Sequence, residues 1–423
     1  MTYARAIEFL SGRQETRWKF GLRRIEGLMA NLGRPQDSFP AIHVGGTNGK
    51  GSVCAMLAEV LRSAGLRVGL YTSPHLVAPT ERIQVDGNPI PDEDFGRAVG
   101  AAQAAETEEA SYFELLTGAA FHYFRERRLD AAVVEVGLGG RLDATNVLDR
   151  PLLTVLTSIG LDHTDFLGDS TASIAGEKAG ILKPGIPCLC GEADEEALAV
   201  IRRRAGEVGA PLKVHRPGLR TESVDWEGGS QRLRGPDGEL LILGLLGRAA
   251  VCNASLVREA CSLLGGRGIS IDERALADGL AHARWPGRFQ VVPVRGRTLI
   301  LDGAHNPAAF EAFLDTWLSS PFSRGQAVFI TGMLQDKDYR GMLRRLSVHA
   351  PRLVATRSDS PRSVSPEGLA AEARAAGCRD VASASSAEAA LDAWLDSGVP
   401  VGVVCGSLYL VGAALAWSRR AAA

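Results

Sequence analysis

The sequence has little of what would assign it at a glance to several large classes. No sign of charge is in excess: 47 Lys+Arg stand against 49 Asp+Glu, a net charge of −2. There is no basic run either, so the electrostatic footprint of a nucleic-acid binder is missing and no nucleic-acid partner is expected. The seven cysteines, at 54, 188, 190, 252, 261, 378 and 405, form no CxxC pair and no zinc spacing. They read as reduced, mostly buried thiols of a cytoplasmic protein. Residues 1–30 mix Arg, Glu and Lys with apolar positions, which speaks against a signal peptide. Internal repeats and low-complexity tracts are absent. From Ser397 to Ser418 there is no charge, a length that suits a membrane span. Pro400, Tyr409 and the glycines of that stretch instead predict a buried strand, a turn and a packed helix, with no membrane partner.

What is present is ordinary for a globular chain. Hydrophobic residues make up 45% and charged residues 23%, enough for a sizeable core and too apolar for disorder. At 423 residues the chain suits two or three domains, and its 48 glycines point to many tight turns. Continuous apolar runs at Pro40–Gly45, Arg67–Thr72, Asp130–Gly137 and Leu152–Ser158 read as doubly buried strands. Helical patterns at Ser52–Ala64, Asp92–Glu106 and Glu114–Arg127 lie between them, so a parallel α/β sheet is expected. Val214–Leu245 is different, with Gly, Pro and alternating polarity, and predicts antiparallel hairpins. A helix over Ala249–Leu264 follows. Beyond Pro286-Gly287 the alternation restarts, with strands at Thr298–Leu301, Ala327–Thr331, Arg352–Ala355 and Val399–Cys405. The boundary is placed near Trp285–Arg288, giving domains 1–285 and 286–423.

Strand PAIHV runs into Gly45-Gly46-Thr47-Asn48-Gly49-Lys50-Gly51-Ser52. Glycines let the backbone form a nest of N–H donors around phosphate oxygens, and the following helix adds its positive end. Lys50 would reach the transferred phosphate and a hydroxyl would hold Mg2+. The strict pattern GxxxxGK[ST] is not met: its first Gly falls on Val44, and its hydroxyl arrives one residue late, at Ser52. The segment reads as an ATP loop of a variant type.

GTNGKGS resembles the phosphate loop of the Mur ligase superfamily. Further segments narrow the resemblance to the folylpolyglutamate synthase/dihydrofolate synthase family. In chain order they are TSPHL (72–76) with ERI (81–83), EVGLGGRLDATN (135–146), LDHTDFLG (161–168), EKAGI (177–181), GRF (287–289), DGAHNP (302–307), DKD (336–338) and GSLYLVG (406–412). The resemblance runs over nearly the whole chain. It implies an N-terminal P-loop ATPase-type domain with a parallel sheet and a small antiparallel section, followed by a smaller Rossmann-like α/β domain.

Glu135, Ser73 and His163 each follow a predicted strand, where α/β sheets place catalytic groups. Mg2+ takes oxygen ligands, so Ser52, Ser73 and Glu135 are candidate ligands of one ion, and His163 suits a second bridged by Glu135. A salt-bridged strand end and a capped loop histidine are the plainer readings of Glu135 and His163. Lys178 alone reads as a helix-surface lysine. The resemblance implies that it is carbamylated, becoming a carboxylate-like metal ligand. Lys50, Glu135, His163 and Lys178 are thus the expected catalytic set.

Phe113 could stack on a flat heteroaromatic ring. The resemblance implies a pterin pocket from Phe20, Gly21, Phe113, Glu114, Leu142, Asp143 and Ala144, although core packing accounts equally for Phe20 and Phe113. Arg141 either joins that ligand or lies on the surface. ATP contacts are implied for Gly46–Ser52, Asn253, Arg288 and Asp302, and glutamate contacts for His305 and Ser407, which also reads as a plain turn serine. Arg288 has the planar fork that suits phosphate. Ala250 stands where the family usually carries a Gln, three residues before Asn253.

The expected activity is an ATP-dependent amide ligase. Its expected partners are ATP, L-glutamate, dihydropteroate and reduced folates, its cofactor Mg2+, two ions of it, and its state a monomer. The resemblance implies acyl phosphate formation followed by glutamate attack. Ligands carried by both domains imply a site in the cleft between them, closed by hinge motion near Pro286-Gly287. An elongation enzyme without dihydrofolate synthase activity is the alternative. A cell-wall Mur ligase would need a further domain before Gly45, and a binding module without chemistry would not need Lys50, Glu135, His163 and Lys178 together.

Overall fold

The computed structural model of the chain describes residues 1–13 and 21–422. The described chain forms two compact units, Met1–Gly218 with Asn253–Ala283, and Leu219–Cys252 with Arg284–Ala423.

The first unit is built on an eight-stranded sheet. Its strands are β1 (Ala41–Gly45), β2 (Val68–Tyr71), β3 (Ile83–Val85), β4 (Asn88–Pro89), β5 (Ala131–Glu135), β6 (Leu153–Leu156), β7 (Cys188–Cys190) and β8 (Leu212–Val214). The spatial order is β4-β3-β2-β5-β1-β6-β7-β8. The six strands from β2 to β8 in that order run parallel, and β3 and β4 add an antiparallel edge. Every residue of β1, β5 and β6 is buried, as expected of apolar runs covered on both faces. One apolar cluster gathers Ile25, Phe95, Leu115 and Phe121, and another gathers Ile174, Ile181 and Ile201 around Leu156. The helix Lys50–Ser63 after β1 is crossed closely by Glu273–His282. A Cβ on Gly279 would sit 2.4 Å from Val60 Cα, so the crossing requires glycine there.

The second unit carries a six-stranded sheet of β12 (Gln290–Val294), β13 (Arg297–Leu301), β14 (Ala327–Thr331), β15 (Arg352–Ala355), β16 (Asp380–Ser383) and β17 (Val401–Cys405). Its order is β12-β13-β17-β14-β15-β16, parallel except for β12. The uncharged stretch divides as expected into β17 and the helix Leu408–Ala422. Among the described residues no helix is long and apolar enough to cross a membrane.

The antiparallel section comprises β9 (Arg220–Asp225), β10 (Ser230–Arg234) and β11 (Leu240–Leu243). It packs with the second compact unit, although in chain order it lies within residues 1–285. The reason is burial, because so small a sheet cannot cover its own apolar face. Val224 and Trp226 pack on the core around Phe289, Phe313 and Trp317, and the Trp226 ring lies 5.9 Å from that of Phe289. Gln231 Nε2 also donates to Leu245 O at 2.8 Å and Gly247 O at 3.2 Å.

Candidate active site

Residues 46–49 leave β1 in a conformation that depends on glycine at two places. Gly46 has φ +138°, and a Cβ there would lie 1.8 Å from Thr157 Oγ1. Gly49, with φ +85°, caps the helix Lys50–Ser63 and passes under the Asn253 amide, whose Oδ1 would be 2.8 Å from an added Cβ. The loop is tied to the segment after β6: Thr47 N donates to Ser158 O at 2.7 Å, and Thr157 Oγ1 donates to Asn48 O at 2.7 Å. Held this way, the first-turn N–H groups of the helix have no intrahelical carbonyl and face outward as anion donors. Ser52, in that first turn, is buried.

Glu135 is the last residue of β5, paired in register with Val44 of β1. It is only 4% exposed. Ser73, just past β2, donates its N–H to Glu135 Oε2 at 3.0 Å, and Lys50 Nζ lies 3.9 Å from Oε1. Lys50 Nζ also donates to Thr47 O at 3.2 Å. Lys178 ends the helix Thr171–Lys178 and is buried, its Nζ donating to Gly46 O at 2.7 Å. Burial, with Lys50 nearby, pulls its amine down to about 7. His163 stands farther along than a strand end, as the left-handed N-cap of the short helix Thr164–Leu167. Its N–H donates to Asp162 Oδ1 at 2.9 Å.

The loop after β5 is organised by Asp143. Oδ2 accepts from Leu138 N at 2.8 Å, and Oδ1 accepts from Thr145 N at 3.0 Å and from the Thr145 hydroxyl. Ala144 beside it is buried and Leu142 half-buried. Arg141 is exposed and paired with Glu177 at 2.8 Å. Phe113 is half-buried, stacked on Tyr71 at 5.9 Å and against the Gly137 backbone. Glu114 closes a capping box with Ser111, accepting from Ser111 N at 2.7 Å, and pairs with Arg24. Gly21 has φ +111°, and Phe20 lies outside the described residues.

In the second unit, Asp302 follows β13 and is buried. Oδ2 accepts from Phe289 N at 2.9 Å, and Oδ1 accepts from Ala304 N at 2.8 Å. Desolvation raises its carboxyl, opposed by the Arg288 guanidinium. His305 Nδ1 lies 2.7 Å from Gly303 O. Ser407, after β17, is 1% exposed, and its Oγ has no partner among the described residues.

The Mur ligase middle domain matches residues 44–255, and the Mur ligase glutamate ligase domain matches 287–408. The dihydrofolate synthase/folylpolyglutamate synthase of Bacillus subtilis is 38% identical, with 85% of this chain and 86% of that protein covered. That of Escherichia coli is 39% identical over 76% and 74%. The chain belongs to the dihydrofolate synthase/folylpolyglutamate synthase family of Mur ligases. It is therefore an ATP-dependent ligase. Among solved structures, E. coli FolC in complex with DHPP and ADP superposes with a TM-score of 0.87 at 33% identity, covering 99% of both chains. Mycobacterium tuberculosis folylpolyglutamate synthase complexed with ADP gives 0.86 at 32% identity, covering 98% and 97%. A Yersinia pestis bifunctional enzyme complexed with AMPPNP and Mn ion gives 0.84 at 31% identity, covering 98% of both.

Within this ligase fold, Lys50, Ser73 and Glu135 meet directly, and Lys178 reaches the same loop from below. No group of three His, Cys, Asp or Glu among the described residues is placed to hold a metal ion. The oxygen donor that the sheet edge does present is the single carboxylate of Glu135, which suits a hard ion that keeps waters and phosphate oxygens. Sequence reasoning missed the bracing residues. Glu81 of the ERI motif accepts from Leu76 N at 2.8 Å and Ala78 N at 3.0 Å, shaping the TSPHL loop. Arg82 Nε donates to His75 Nδ1 at 2.8 Å. The motif was visible without any sign of these bonds.

Proposed function

We propose that the chain joins L-glutamate to dihydropteroate, giving dihydrofolate, and to reduced folates, giving folylpolyglutamates, as a cytoplasmic monomer. The observation that carries the reading is the meeting of Lys50 and Ser73 at the buried Glu135 carboxylate, beside a nest built for phosphate. The Bacillus subtilis and Escherichia coli relatives bear the double name, and the Lacticaseibacillus casei relative is named folylpolyglutamate synthase. The GGRLDATN and SPHLV segments resemble the bifunctional bacterial members and favour both activities.

ATP lies with its phosphates on Gly46–Ser52, and Asn253, Arg288 and Asp302 contact the nucleotide. A carboxylate oxygen of the pterin substrate attacks the γ-phosphorus, ADP leaves, and an acyl phosphate forms. The glutamate amine, held by His305 and Ser407, attacks the acyl carbon and loses a proton. The tetrahedral adduct then collapses to amide and phosphate. The Lys50 ammonium and the helix N-terminus neutralise the charge on the moving phosphoryl group. Ser52, Ser73, Glu135 and His163 would hold two Mg2+, which supply further neutralisation of that charge. Lys178 joins them once carbamylated: an amine pulled down to about 7 presents its lone pair to CO2, forms the N–C bond and releases one proton to water. Phe113, Gly21, Leu142, Asp143 and Ala144 line the pterin pocket with Phe20, and Glu114 acts there by starting the Phe113 helix.

Mass spectrometry of products tests this with MgATP, L-glutamate and either dihydropteroate or tetrahydrofolate. Glutamate added to both acceptors is the expected result. Addition to tetrahydrofolate alone would leave an elongation enzyme, and addition to neither would overturn the acceptor class. In the same assay Lys178→Met is expected to lose nearly all turnover, and turnover near that of the unaltered protein would remove the carbamate.

A further inference from the structure

His43 occupies the middle of β1 with no exposed surface, a position where an aliphatic side chain would serve the sheet. Its Nε2 lies 2.8 Å from Thr145 Oγ1. The Thr145 hydroxyl in turn meets Asp143 Oδ1. A carboxylate only accepts, so the hydroxyl donates to Asp143 and its lone pair takes the His43 Nε2–H. The polarity of the chain of bonds is thereby set from the Asp143 end. The ring must be the Nε2–H tautomer with Nδ1 bare, and Nδ1 has no partner among the described residues. Leaving a buried acceptor unmet destabilises the fold relative to a leucine of similar size. A histidine retained at that cost is explained by what Nε2 holds.

We propose that His43 is a positioning residue for the acceptor. Through Thr145 it sets the direction of the Asp143 carboxylate, and through Asp143 the backbone of Leu138–Thr145 that receives the pterin. The inference rests on the pterin reading above. The far side of the same loop is held independently: Asn146 Nδ2 donates to Arg141 O at 3.0 Å, and Lys183 Nζ donates to Asn146 O at 3.0 Å. Loss of the histidine bond therefore loosens the Asp143 side of the loop while the Asn146 side stays tied. β1 also leads to the phosphate loop, so a merely structural histidine would disturb ATP and acceptor together.

Steady-state kinetics on His43→Leu, His43→Gln and Thr145→Val separate these cases, with whichever of dihydropteroate and tetrahydrofolate the unaltered protein elongates. His43→Leu and Thr145→Val are expected to raise KM for the pterin roughly tenfold, with KM for MgATP within about twofold. His43→Gln, whose amide N–H reaches the Nε2 position, is expected to restore KM for the pterin to within about threefold. Parallel rises in both KM values, a glutamine no better than leucine, or no change in any variant would overturn the proposal. Should His43→Leu fail to fold, Thr145→Val and His43→Gln still decide it. An unaltered protein that elongates neither pterin overturns the acceptor reading itself, a result distinct from active protein with unmoved variants.

Discussion

Glu135 and His43 show how differently two buried polar residues are accommodated on neighbouring strands. Glu135 is met at its two oxygens by the Ser73 N–H and by Lys50 Nζ. His43 has no such compensation for a proton: burial first, then the Lys183 charge, pulls its ring down to about 3. Its ordinary value is 6.5, so between about 3 and 6.5 the unfolded chain binds a proton that the folded chain does not. Stability linked to His43 is therefore complete above pH 6.5 and is lost as pH falls through that window. Denaturant unfolding of the unaltered protein and His43→Gln at a series of pH values checks this. The difference between them should shift against the unaltered protein on acidification, with a slope approaching about 1.4 kcal/mol per pH unit. Some residue roles were legible beforehand and some were not. The Ser111-Tyr112-Phe113-Glu114 spelling is a capping box, so Glu114's part in starting a helix could have been read from its spacing alone. That the Asp143 oxygens would be used by Leu138 and Thr145 could not, because loop curvature is set by contacts outside the loop.

At the scale of elements, the phosphate loop is a strand end and a helix start held in one shape by Thr157 and Ser158. Gly46→Ala places a methyl group on Thr157 Oγ1 in a backbone region that disfavours side chains. The expected cost is on the order of 3 kcal/mol, with nucleotide affinity lost more steeply than stability. Thermal unfolding and ADP calorimetry on the variant check it; unaltered ADP affinity would show that the loop tolerates a side chain. The central strands were legible because β1, β5 and β6 are buried along their whole length, as continuous apolar runs predict. The antiparallel partnership of β12 with β13 escaped notice, since an edge strand as short as Gln290–Val294 carries no periodicity that distinguishes its direction.

For the whole molecule, the assignment of Leu219–Cys252 to the second unit has a measurable consequence. Trp226 packs its ring on Phe289 and on Phe322, at 5.9 and 6.4 Å, so it belongs to that unit's core although some sixty residues precede the apparent boundary. Trp226→Ala is expected to destabilise that unit by about 2 kcal/mol. Hydrogen exchange should then show faster opening of β12 and β13, with β1 and β5 unchanged. Equal acceleration in β1 would place the segment with the first unit instead.

The sequence by itself determined the alternation of strand and helix, the place of the phosphate loop and the order of motifs that marks the ligase family. These are local properties, written in the burial period of each segment and in glycines that particular turns demand. Tertiary structure alone decided that Lys178 reaches the carbonyl of Gly46, that His43 reaches Thr145, and that an early pair of hairpins completes a late core. Such pairings join residues far apart in the chain, and only strand order and register bring them within hydrogen-bond reach. The amine of Lys178 and the ring of His43 take their altered basicity from that same burial, which no spacing of residues expresses.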